Sequence, residues 1–121
     1  MEGKATIYAW NGKVLREFPC VKFEPYCGLT RRIETPDGKS IMTNCPVVVT
    51  GVHTSLRQPN EIEKEQTFDV ALELGDSGST YRRTWQGAFF LVHLDGIVCF
   101  WHGSELVCVA GPVIIENFKN E

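Results

Sequence analysis

Six consecutive residues, Leu74-Gly75-Asp76-Ser77-Gly78-Ser79, carry the plainest chemical signal in this 121-residue chain. A serine flanked by glycines suits a nucleophile loop. Glycine lets the backbone take φ > 0 and turn N–H groups toward a developing oxyanion, while Ser77 Oγ stands clear of the chain. The same residues are good hairpin formers, Gly for its backbone freedom and Asp for its short-range hydrogen bonds to the main chain. Both readings stand: a nucleophile, or a tight connection between two strands. A serine nucleophile needs a base, and the chain has three histidines, His53, His93 and His102. His102 and Glu105 flank Gly103-Ser104 and would face each other across that turn, either as an acid/base pair or as a surface pair at a hairpin end.

The elements that would position these groups read as strands. Lys4 to Trp10 and Lys13 to Phe18 flank Asn11-Gly12, a hairpin signal that predicts φ > 0 at both turn residues. Pro19 to Gly28, with two prolines, reads as an irregular crossing. Arg31 to Thr35 and Lys39 to Asn44 flank Pro36-Asp37-Gly38, a second hairpin. Pro46 opens a new strand or edge over Val47 to His53. Asn60 stands three residues before Glu63 and predicts a capped turn or two of helix within Gln58 to Gln66. Five apolar runs follow: Thr67 to Leu74, Ser79 to Trp85, Ala88 to Leu94, Ile97 to His102 and Glu105 to Ala110. They are joined by turn chemistry at residues 75–78, 86–87, 95–96 and 103–104. Val113 to Phe118 forms a last strand or short helix. The pattern predicts one all-β domain over residues 1–121, an antiparallel β-barrel or sandwich built from a meander of hairpins, with at most one short helix near residues 60–66.

Composition narrows the function classes. A net charge of -3 argues against a surface built mainly to bind nucleic-acid phosphates, and no apolar run is long enough to span a bilayer. The opening Met1-Glu2-Gly3-Lys4 lacks the apolar core of a signal peptide. Five cysteines, an odd number, fit free thiols in a reducing cytoplasm, or a host cytoplasm for a viral protein. Cys20, Cys27, Cys45 and His53 lack the close Cys pair of structural zinc, so no metal or other cofactor is expected. Arg31, Arg32, Arg82 and Arg83 form either a basic patch or solvated strand faces. Trp10, Trp85 and Trp101 read as core or interface anchors.

Three segments resemble the motif blocks of trypsin-like, chymotrypsin-fold serine proteases, and they occur in that family's order. Gly75-Asp76-Ser77-Gly78-Ser79 resembles the nucleophile block, Val48-Val49-Thr50-Gly51-Val52-His53 the base block, and Phe68-Asp69-Val70-Ala71-Leu72 the acid block. The resemblance implies peptide-bond hydrolysis of a polypeptide substrate through an acyl-enzyme, with Ser77 as nucleophile, His53 as base and Asp69 orienting it. Backbone N–H groups of Gly75 and Ser77 would form the oxyanion hole. Asp37 to Val48 also resembles the base block, with Pro46 at the histidine's place. Strand geometry adds a condition. If Thr67 to Leu74 and Ser79 to Trp85 form a simple hairpin, Asp69 lies roughly 17 Å from Leu74, and that hairpin and the Asp69–His53–Ser77 triad exclude each other.

The alternative is a non-catalytic β-barrel module that binds a protein partner through an exposed edge or aromatic patch, of the kind small viral or phage genomes encode. Turn registers yield three further expectations. A two-residue Gly103-Ser104 loop sets Cys99 opposite Cys108. Phe90, Val92, Leu94, Ile97, Cys99, Trp101, Leu106, Cys108 and Ala110 share a core face, with a mixed face opposite. A four-residue loop at Gly75–Gly78 and a hairpin at Gln86-Gly87 align Glu73, Thr80 and His93 in one row, making His93 a second candidate base for Ser77.

Overall fold

The computed structural model describes residues 3–52, 57–76 and 79–118. Strands β1 (Gly3–Tyr8) and β2 (Val14–Cys20) form the opening hairpin. Of its two turn residues only Gly12 has positive φ, at 93°. The Gly12 N–H donates to Ala9 O and the Ala9 N–H to Lys13 O, so this is a wider turn ending on a left-handed glycine rather than a two-residue loop. Gly12 is constrained a second way, because a Cβ there would sit 2.1 Å from Tyr81 Cβ.

Strands β3 (Lys22–Cys27), β4 (Thr30–Glu34) and β5 (Ser40–Thr43) make a separate three-stranded sheet. The stretch expected to be an irregular crossing therefore holds the end of β2 and all of β3. Its Pro25 is tolerated because β3 is an edge strand whose ladder slips between Pro25 and Cys27. The second hairpin turn closes as expected, with Gly38 N–H donating to Thr35 O.

After β6 (Val47–Thr50) comes the one helix among the described residues, α1 (Glu61–Glu65), held by the Asn60–Glu63 capping box. Then follow β7 (Thr67–Asp76), β8 (Ser79–Leu94), β9 (Ile97–His102), β10 (Glu105–Ala110) and β11 (Val113–Glu116). The eight-stranded sheet runs β11-β7-β8-β9-β10-β6-β1-β2. It does not close into a barrel, and the layering is sandwich-like.

The main departure from the sequence pattern is β8. Gln86-Gly87 does not turn the chain back; it lies inside one 16-residue strand. The first bulge is on β8: Gln86 and Gly87 lie opposite the single residue Asp69 of β7, between the pairs Phe68–Ala88 and Val70–Trp85, and a second irregularity falls between Phe89 and Val92. Gly87 (φ 72) and Phe90 (φ 60) take the left-handed backbone these irregularities need. They re-aim the strand, so that its first part pairs with β7 and its last part with β9.

Two apolar clusters result. Ala5, Ile7, Val47, Val49, Ile97, Cys99, Leu106 and Cys108 pack with Ile33 and Cys20, while Val48, Val98, Phe100, Val107 and Val109 pack with Phe68, Val70, Leu72 and Trp85. Because side chains alternate along a strand, β9, β10, β6 and β1 are covered on both faces. The β3–β5 sheet lies on one side, and β7, early β8 and β11 on the other. This corrects the expected division into one core face and one mixed face: Val98, Phe100, Val107 and Val109 are as buried as Ile97 and Cys99. Continuous apolar runs are what two-sided burial requires. Phe90 and Leu94 leave the expected core set. Leu94 is exposed, and Phe90 lies half-buried under the Arg57 guanidinium, 4.6 Å from its ring centre. The register of β9 and β10 is as expected, from Glu105 opposite His102 to Cys108 opposite Cys99.

Candidate functional site

Of the residues expected to build a hydrolase site, the structure describes Asp69, Gly75 and His93. The β7–β8 ladder continues through Gly75 opposite Thr80 to Asp76 opposite Ser79, so Gly75 belongs to the ladder rather than to a four-residue loop. Ser77 and His53 lie outside the described residues. Asp69 sits seven positions back along β7 from Asp76, about 23 Å of extended backbone. Its carboxylate is already committed, accepting from Gly87 N–H at 3.0 Å and Asn117 Nδ2 at 2.7 Å. These bonds, the Gly87 N–H first, hold its pKa below the ordinary carboxylate value. Asp69 therefore pins the β7–β8 bulge.

The row expected around His93 is corrected. His93 pairs with Val98, as the register required, but Thr80 faces Gly75, and Glu73 faces Arg82. With no turn at Gln86-Gly87, Thr80 and His93 stand at opposite ends of β8, and the three-residue row does not form. His102 and Glu105 do face each other, both exposed, at the β9–β10 turn.

A different site is built at one end of the sandwich. The β1–β2 turn brings Trp10, the β3–β4 connection brings Leu29, and β4 brings Arg31 to a cleft of about 230 Å³ floored by Cys45, Pro46 and Ala110. Trp10 and Leu29 are 59% and 78% exposed, whereas Arg31 is only 5% exposed. Arg31 Nη1 donates to Gly28 O at 3.1 Å and Thr30 O at 3.4 Å. Its Nε is buried with no hydrogen-bond partner, and no carboxylate pairs with Arg31 among the described residues. Gly96, on the β8–β9 turn, makes room for the guanidinium: a Cβ there would lie 2.9 Å from Nη2.

Comparison with protein-family models, curated proteins and solved structures finds no match.

The four arginines do not form one patch, because β4 and early β8 lie on opposite sides of the central strands. Arg32 bonds Ser40 and approaches Glu24, Arg82 lies between Glu73 and Glu116, and Arg83 donates to Tyr8 Oη at 3.0 Å while stacking over Trp85. Beside that last group Tyr81 donates to Tyr8 Oη, and burial pushes the Tyr81 hydroxyl pKa up. Trp85 is a core anchor set edge-on to Phe100, and Trp101 packs against the first cluster. Trp10 alone among the three is strongly exposed. Alternation along Thr30–Glu34 was the available signal for Arg31: it shares a strand face with Ile33, which is fully buried.

Proposed function

We propose that this chain is a non-catalytic protein-interaction module that holds a partner polypeptide in the cleft beside Trp10 and Leu29. The carrying observation is that Trp10 and Leu29, two strongly exposed large apolar side chains, line one cleft together with a buried arginine that has no carboxylate partner among the described residues. Scattered exposed apolar residues need no explanation, but a cluster rimming a concavity is the pattern of a partner site, and Trp and Arg are the residues that most often dominate binding energy. The cleft is smaller than the roughly 300–1,000 Å³ of small-molecule sites, which favours a side chain or two of a larger partner. The hydrolase reading has less support, since the acid its motif order nominates holds a bulge about 23 Å of strand away from Asp76. A reducing compartment such as the cytoplasm fits five free thiols, two of them facing each other at Cys99 and Cys108.

The test is selection from two displayed peptide libraries, one with free C-termini and one with peptides embedded between fixed sequences. Enriched sequences should bind wild type and lose about tenfold or more in affinity to Trp10→Ala or Leu29→Ala, since a hot-spot truncation costs about 2 kcal/mol or more. Failure of both libraries to enrich anything on the folded protein, or binders indifferent to both substitutions, would remove the reading.

A further inference from the structure

The guanidinium of Arg31 says what the cleft takes. A buried cation without a counter-charge is costly, and a buried N–H without an acceptor adds to that cost. One side of the guanidinium is already used, because Nη1 is fixed by the carbonyls of Gly28 and Thr30. The other edge holds Nη2, beside Gly96 in the cleft wall, and Nε, which has no partner among the described residues and is covered from solvent, so an occupant must displace the atoms over it to pair with both. Two parallel N–H donors on one planar edge match the two oxygens of a carboxylate, the pairing that makes arginine rather than lysine the reader of such groups. Trp10, Leu29, Pro46 and Ala110 give the cleft apolar walls, with Asn44 also in the lining. So the occupant must bring a carboxylate and a hydrophobic group together within a volume of about 230 Å³.

We infer that the Arg31 cleft docks the C-terminal residue of a partner polypeptide that ends on an apolar side chain. A terminal residue carries both groups on a single Cα, and so satisfies guanidinium and apolar wall without a second residue entering. An internal Asp or Glu supplies the carboxylate but leaves the wall to a neighbour. A phosphate brings a second negative charge and no apolar surface. This inference rests on the interaction reading above and names the partner's chemistry at that same cleft.

The experiment follows the Arg31 Nε–H resonance of the ¹⁵N-labelled full chain, assigned by its loss in Arg31→Met, during titration with three peptides. They are acetyl-Gly-Gly-Leu as the free acid, the same peptide as its C-terminal amide, and acetyl-Gly-Glu-Leu-amide, whose only carboxylate is on a side chain. The free acid should shift the resonance saturably and bind about 10- to 100-fold more tightly than either amide, the range for hydrogen bonds to a charged group. Arg31→Met should melt at or above the wild-type temperature, because it removes a buried charge that has no carboxylate partner among the described residues, and should bind acid and amide alike. Arg31→Lys keeps the charge but not the planar edge and should lose most of the acid's advantage. Equal binding of acid and amide by wild type, or equal binding of the Glu peptide and the free acid, overturns the inference; so does displacement of the free acid by equimolar inorganic phosphate. If such binding still depends on Trp10 and Leu29, the interaction reading survives alone. Absence of binding by all three peptides overturns the inference, and with two empty library selections it removes the interaction reading as well.

Discussion

Phe100 and Phe90 make a paired test of the layered core. Phe100 is fully buried between β9 and the outer layer, with its ring edge-on to Trp85 at 5.4 Å between centroids. Truncating a buried Phe to Ala costs about 3–5 kcal/mol, and the lost aromatic contact puts Phe100→Ala near the upper end, about 5 kcal/mol. Phe90 is half-buried, lies beneath the Arg57 guanidinium and occupies φ 60. Phe90→Ala loses part of the burial and a cation–π contact of about 0.5–1 kcal/mol, about 1–2 kcal/mol in all. At about 2.1 cal/mol/K per residue the 121-residue chain loses about 4 °C of Tm per kcal/mol, so the two variants should fall by about 20 °C and about 4–8 °C. Phe90→Gly sharpens the test. Left-handed backbone costs an L-residue about 1–2 kcal/mol, more than the roughly 0.5–1 kcal/mol that glycine loses to chain entropy. Phe90→Gly should therefore be at least as stable as Phe90→Ala, the reverse of the usual order in a strand. Urea unfolding with matched m-values is the assay. A Phe90→Ala loss equal to that of Phe100→Ala would restore Phe90 to the core and refute the bend in β8.

Thiol reactivity follows burial: Cys27 is exposed, Cys20 is buried with its pKa pushed up to about 11, and Cys108 is raised by its bond to Cys99 and by desolvation. Ellman's reagent should find Cys27 fast and the half-buried Cys45 slower in native protein, and five thiols in denaturant; three or more thiols reacting in native protein would contradict the packing around Cys20, Cys99 and Cys108. The Glu63 carboxyl is pulled from 4.5 down to about 2, first by the Arg57 guanidinium and then by the Asn60 N–H. Since the folded value lies below the unfolded one, its stabilisation is complete above about pH 4.5 and is lost as pH falls toward 2. A carboxyl ¹³C titration of Glu63 with a midpoint near 4.5 would break that assignment, and Glu63→Gln should flatten stability against pH across this window. A fluorophosphonate probe should leave folded protein unlabelled; labelling at one equivalent that disappears in Ser77→Ala would bring back the nucleophile reading.

Local chemistry marked most of the turns, because a hairpin needs only its own residues. Gly103-Ser104, Asp95-Gly96 and Pro36-Asp37-Gly38 fall where the structure turns, and Asn60–Glu63 caps the helix. Gln86-Gly87 misled for a tertiary reason. Glycine with positive φ serves a bulge as well as a turn, and the Asp69 carboxylate that fixes the choice comes from another strand. Counting the faces of β9 and β10 failed similarly, since alternation separates two faces but does not say that a second layer covers both. At the site, Arg31 stands next to Arg32 in a polar-looking run, and only its shared parity with Ile33 signals an inward side chain. Its grouping with Trp10 and Leu29 depends on three loops meeting at one end of the sandwich, which no local pattern encodes.

The position of β6 has a kinetic consequence. Strands β7 to β10 follow one another through short connections, but β6 must slot between β1 and β10, setting Val47 against Ala110 and Thr50 against Val107. Closing so long a loop carries an entropic cost before its contacts form, so the β6 slot raises the contact order and places folding toward the millisecond-to-second range. Contact order predicts that the meander forms before β6 docks. Pro46 and Ala110, at the end of that last ladder, also line the Arg31 cleft. A partner seated there recognises only the chain in which β6 has docked, and by mass action it slows amide exchange in β6 more than in the β7–β8 hairpin.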